Sequence, residues 1–159
     1  MATSLGDRQF NRAYISMRDM DRCIESLECA TSALERDDYK AARALLTAAI
    51  VCYGRPFSGN ADHSLAIATS SFRLSHLSAA ERALHQHVLE LRNKVIAHSD
   101  AERNPVSLDS SSATGWVAGS KIYDPLVESE IIPQFHALAV RARGTFATET
   151  HRAASSVAP

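Results

Sequence analysis

The sequence predicts an all-α protein, an up-and-down helical bundle of four main helices with a short extra helical turn. Three observations carry that expectation. Apolar residues recur at steps of three, four and seven along several stretches. Helix-start chemistry stands ahead of those stretches, at Asp38, Ser78 and Asp124. No segment convincingly alternates apolar and polar residues as a half-buried strand does, and no internal repeat is present.

From Asp7 to about Glu35, Phe10, Tyr14, Met17, Ile24, Leu27 and Leu34 mark one face of a long first helix. Arg8, Arg12, Arg18, Arg22 and Glu25 occupy its solvated side. "RDDYK" interrupts it, with Asp37 or Asp38 as N-cap of the next helix. "YKAARALLTAAIVCY" then groups Leu45, Leu46, Ala49, Ile50 and Tyr53, its alanines favouring helix and close packing. Gly54 and Pro56 in "GRPFSGN" end this helix. Residues 57–76 are Ser-rich and read as a loop with a short helical turn.

Ser78 and Glu81 in "LSAAE" form a capping box, with Leu77 placed for a hydrophobic staple. The third helix carries the stripe Leu84, Val88, Leu91, Val95 and ends near His98. "SDAERNPVSLDSSSATG" reads as a polar loop whose far end Trp116 anchors against the core. Asp124 as N-cap and Pro125 at N1 open the last helix. Leu126, Ile131, Phe135, Leu138, Ala142 and Phe146 face inward along it, and Pro133 is expected to kink or split it. The tail from about residue 151, "HRAASSVAP", reads as frayed.

The 159 residues suit one domain with a real core, and 45% hydrophobic against 22% charged residues is ordinary for a globular chain. A formal net charge of −1 argues against broad attraction to nucleic acid. A local basic site remains open, because 14 of the 17 basic residues are arginine, suited to bidentate contacts with carboxylate or phosphate. Cys23, Cys29 and Cys52 lack metal-ligand spacing, and their odd number argues against a disulfide framework. Buried thiols in a reducing cytoplasm are the expectation. The first residues, "MATSLGDRQF", show no secretory signal, and no segment has the apolar length of a membrane span.

"LELRNKVIAHSD", Leu89 to Asp100, holds the candidate chemistry in Arg92, Asn93 and His98. Spacing alone decides nothing. Chance supplies roughly two cases of a histidine four to six residues after an arginine in such a composition, and the chain has two in that order, Arg82 with His87 and Arg92 with His98. His85 and His87 point to different sides of a helix and do not readily share a metal; with His76 they are expected at the surface. No glycine-rich phosphate loop is present, since neither "GRPFSG" nor "TGWVAG" has the required lysine.

The wider string is informative. "LRNKVIAHSD" after an amphipathic helix, flanked by "ALHQHVLELR", resembles the HEPN superfamily of small helical-bundle proteins and its members related to phage-defence (abortive infection) proteins. "CYGRPFSG", with Tyr53, Arg55 and Phe57, is similar to a second segment of that subgroup. The helix order covers most of the chain, the specific match about a tenth of it.

That resemblance implies an endoribonuclease without metal or cofactor, a toxin or phage-defence effector, working as a homodimer with its site at the subunit interface. It implies Arg92 and His98 as the catalytic pair, Asn93 as a supporting polar group and Arg55 as a secondary RNA-binding residue. It also implies a partner, a cognate antitoxin or a nucleotidyltransferase. The tyrosine that such a transferase modifies in some toxins is replaced here by Asp100, which speaks against that route.

The chemistry is independently reasonable. RNA supplies its own nucleophile, the ribose 2′-OH, which a histidine can deprotonate while an arginine holds the transition-state charge. Asp100 and Glu102 near His98 would favour its imidazolium form. On an ideal helix, six residues set Arg92 and His98 about 120° apart. Either the helix unwinds before His98, or Arg92 of one subunit works with His98 of another; an apolar stripe that ends in a histidine favours the second. The leading alternative is a non-catalytic helical module that binds a protein partner or a nucleotide; a third is a structural dimerisation bundle unrelated to HEPN.

Overall fold

The computed structural model describes residues 5–57, 72, 74–96, 106–112, 115–120 and 123–157. Four helices form an all-α bundle: α1 (Leu5–Glu35), α2 (Tyr39–Gly54), α3 (Ala79–Glu90) and α4 (Ile132–Val157). Short 3₁₀ turns at Arg55–Phe57 and Leu74–His76 flank the long connection after α2. A further 3₁₀ segment, Pro125–Ile131, leads into α4, and α1 packs against both α2 and α4.

Along α1 the buried line is Ala13, Ser16, Met20, Cys23, Leu27, Ala30 and Ala33. It is rotated from the face read in the sequence. Tyr14 is exposed, and Met17, Ile24 and Leu34 pack half-buried at the edges. Two helices press on α1 from different directions, so small side chains line the closest approach and larger ones wedge beside it.

The turn into α2 is tight because Asp38 serves both helices. Asp37 adopts a left-handed φ of 56°. The amides of Asp38 and Asp37 donate to the carbonyls of Ala33 and Leu34, a Schellman ending. Asp38 then caps α2, its carboxylate accepting from the Ala41 amide at 3.0 Å. On α2, Leu46, Ala49, Ile50 and Tyr53 are fully buried.

Ser78 caps α3 with both hydrogen bonds of the capping box. The staple is absent: the fourth helical position is Arg82, whose guanidinium donates to the Leu77 carbonyl, while Leu77 itself is buried in the core. Beyond Glu90 the helix widens into a π-turn, Leu91–Ile96.

The segment read as a polar loop contains an antiparallel hairpin, β1 (Val106–Ser112) with β2 (Gly115–Ser120). Backbone pairing runs from Val106 opposite Ser120 to Ser112 opposite Gly115, with an irregularity after Asp109. Serines and glycines diluted the alternation by which such strands are recognised.

Asp124 caps the next segment through the Leu126 amide at 3.0 Å. Pro133 falls in the first turn of α4, where its missing N–H breaks no intrahelical bond, just after the 3₁₀ part of the last helix ends. The tail is not frayed: α4 continues to Val157, with Ala153 buried. The bidentate pair Arg43–Asp124, at 2.9 and 2.7 Å, ties α2 to this segment. Arg141 joins α4 to the Glu81 carboxylate and the His76 carbonyl, both at 2.7 Å.

Candidate functional site

Arg92 lies in the first turn of the π-segment, half-buried, with Asn93 exposed beside it. Its guanidinium donates to the Asn93 side-chain oxygen at 2.7 Å. The methylene stem crosses Gly54 at the end of α2. A Cβ built on Gly54 would stand 2.8 Å from Arg92 Cγ and 3.1 Å from Cδ. Glycine is therefore required there by the close approach of the arginine stem.

The next residue, Arg55, is the C-cap of α2. Its Nη1 lies 3.3 Å from Oδ1 of Asp19, on α1. The pair is asymmetric: the Asp19 side chain is 8% exposed and that of Arg55 50%. Arg12, about two turns before Asp19 on α1, donates from Nη2 to the Pro56 carbonyl at 3.2 Å, fastening the 3₁₀ turn that carries Arg55. Cys52 shares this surface. Burial pushes its thiol up, Arg55 and Arg22 pull it down, and Asp19 raises it.

The arginines divide by partner. Arg18, Arg43, Arg141, Arg143 and Arg152 are bound to partly exposed carboxylates as surface latches. Arg55 leans on a buried one. Arg92, among the described residues, bonds to a neutral amide and to no carboxylate. Among the described residues, Arg12 and Arg82 likewise donate only to carbonyls, of Pro56 and Leu77.

The histidines also separate. His85, expected at the surface, is buried, with Nδ1 2.8 Å from the Tyr53 hydroxyl. It sits edge-on to Phe57 at 4.8 Å between ring centroids, near Phe72. Burial lowers the His85 pKa and, with the neighbouring Cys23, raises that of Tyr53, so both groups stay neutral. His87 points elsewhere, pairing through Nε2 with Glu128 at 2.8 Å, and the Tyr123 hydroxyl donates to the other oxygen of that carboxylate.

Of the residues singled out in the sequence, Arg92 lies against Gly54 with Asn93 beside it, and Arg55 follows Gly54 in the chain at the end of α2. His98, Asp100 and Glu102 lie outside the described residues, as does the side chain of Trp116. Cys23 is buried, Cys52 partly so, and Cys29 exposed, which corrects the expectation of three buried thiols. Two contributors were missed, Asp19 and Gly54. Asp19 carried a readable signal: it follows Ser16 by three and precedes Cys23 by four, a carboxylate inside a helical stripe of small residues.

Among the described residues, no group of three or more His, Cys, Asp or Glu side chains could hold a metal, and no helix is long and apolar enough to cross a membrane. Comparison with family models, curated proteins and solved structures finds no match to this chain.

Proposed function

We propose that the chain is a HEPN-type endoribonuclease that cleaves RNA without metal, acting as a homodimer in defence or as a toxin. One observation carries the reading. Arg92, the arginine of the Arg-Asn…His string, lies across Gly54 beside Arg55 with no carboxylate partner among the described residues. A guanidinium so held has donors for a phosphodiester oxygen and charge for the pentacoordinate transition state.

In this mechanism His98 takes the proton of the ribose 2′-OH, and the 2′ oxygen attacks the adjacent phosphorus. The bond to the 5′ oxygen breaks as a second protonated group, the corresponding histidine of the other subunit, protonates that leaving oxygen. The products are a 2′,3′-cyclic phosphate and a 5′-hydroxyl. Asn93 orients Arg92, and Arg55 holds a neighbouring phosphate. A cognate antitoxin, or a nucleotidyltransferase, would be the regulating partner.

The test is incubation of purified protein with RNA in EDTA, beside Arg92→Ala and His98→Ala. Cleavage by the wild type alone, with cyclic-phosphate ends, supports the reading. Wild-type activity no greater than that of both variants refutes it. The second reading, a non-catalytic module that binds a protein or nucleotide, is favoured by an apolar groove of about 470 Å³ lined by Leu84, Ile131, Ala137 and Leu138. A strictly monomeric protein without nuclease activity would select that alternative.

A further inference from the structure

We propose that Asp19 is a positioning residue, a buried carboxylate on α1 that aims the Arg55 guanidinium so that Arg55 and Arg92 face one RNA phosphate segment from either side of Gly54. The inference rests on the nuclease reading for its substrate class, but its geometry is independent of cleavage.

The argument begins with burial. A carboxylate only 8% exposed is costly unless paired and hydrogen-bonded. Asp19 meets Arg55 at 3.3 Å, whereas Arg55 keeps half of its side chain in solvent. Arginine has five N–H donors in a rigid fork, so one directed at Asp19 fixes the orientation of the rest. The backbone of the same turn is fastened independently by Arg12 on the Pro56 carbonyl. On the other flank, Gly54 lets the Arg92 stem lie against the chain within one residue of Arg55.

Charge and position predict opposite signs for the loss of Asp19. The carboxylate neutralises Arg55, so a purely electrostatic role means that removing it adds a positive charge and tightens binding to RNA. A positioning role means that removing it releases the guanidinium to many rotamers and weakens binding. The second outcome is expected.

The probe is a 2′-O-methyl RNA 12-mer, which lacks the attacking hydroxyl, with affinity measured by fluorescence anisotropy across a salt series. Asp19→Asn preserves shape and removes charge; it is expected to weaken binding about tenfold, as is Arg55→Ala. Each is expected to lower the slope of log affinity against log salt by about 0.7, the share of one single-strand phosphate contact. The double variant is expected to bind no more weakly than Arg55→Ala alone. Tighter or unchanged binding by Asp19→Asn overturns the proposal, as does equal weakening of the Arg55→Ala protein. If Asp19→Asn fails to fold, Arg55→Lys decides: charge is conserved and the fork is lost, so unchanged affinity overturns it.

A wild type that does not bind the 12-mer removes the clamp. Binding of the 12-mer without cleavage of ordinary RNA refutes the nuclease reading and leaves the clamp standing.

Discussion

Gly54→Ala is the smallest change that separates the candidate site from the fold. The added Cβ would stand 2.8 Å from Arg92 Cγ, about 0.6 Å short of the 3.4 Å at which ordinary contact begins. The nearest atoms belong to the middle of the stem, so the displacement is carried outward to the guanidinium and reaches about 1 Å there. If the chain is the nuclease proposed above, misplacement of that size costs up to about 100-fold in its rate. Stability responds less. Alanine in a helix gains about 0.5–1 kcal/mol over glycine, and overpacking costs about 1–3 kcal/mol. The net expectation is a loss of about 0–2.5 kcal/mol. The assay pairs kcat on an RNA oligonucleotide in EDTA with the urea midpoint of the same preparation. A variant as active as wild type and more stable by about 0.5–1 kcal/mol would refute the reasoning, because the stem would then have room to spare.

Other outcomes follow from the buried polar pair and the helix ends. Tyr53→Phe leaves His85 Nδ1 buried without its 2.8 Å partner and is expected to cost about 1–3 kcal/mol in a denaturation midpoint. His85 titrates below its ordinary 6.5 in the fold, so the unfolded chain takes up its proton first as pH drops. Its contribution is present above 6.5 and is lost as pH falls from there through the folded value; His85→Gln should flatten that part of the urea-midpoint profile against pH. Ser78→Ala removes the cap of α3 and is expected to cost about 1 kcal/mol by thermal melt. An aromatic disulfide reagent should label Cys29 rapidly, Cys52 more slowly, and Cys23 only on unfolding.

Helix boundaries were legible because the side chains that set them act locally. Asp38, Ser78 and Asp124 all cap where the sequence places them, and Pro133 stands in the first turn of α4, just after the 3₁₀ part of the last helix ends. What failed depended on neighbours distant in the chain. The inner line of α1 sets Ala13, Ser16, Cys23, Ala30 and Ala33 beside Met20 and Leu27, and a search for large apolar residues overlooks the small ones. His85 reads as a surface residue until Tyr53, 32 positions away, provides a partner. Arg92 and Asn93 could be named from the string that contains them. Asp19 and Gly54 are recognisable only once α1 and α2 meet the π-turn.

The π-turn at Leu91–Ile96 makes this part of the chain tolerant to changes of length. A π-turn is an α-turn holding one surplus residue. Deleting a residue within it would restore α pairing while Arg92 keeps its place over Gly54, and inserting one elsewhere could be absorbed by a second such bulge. Each step turns the downstream chain by about 100° about the helix axis. The anchor is thus fixed and the exit direction adjustable, like a screw that advances by single threads. Related chains that differ by one residue after the arginine could preserve its setting while presenting the following histidine at a new azimuth.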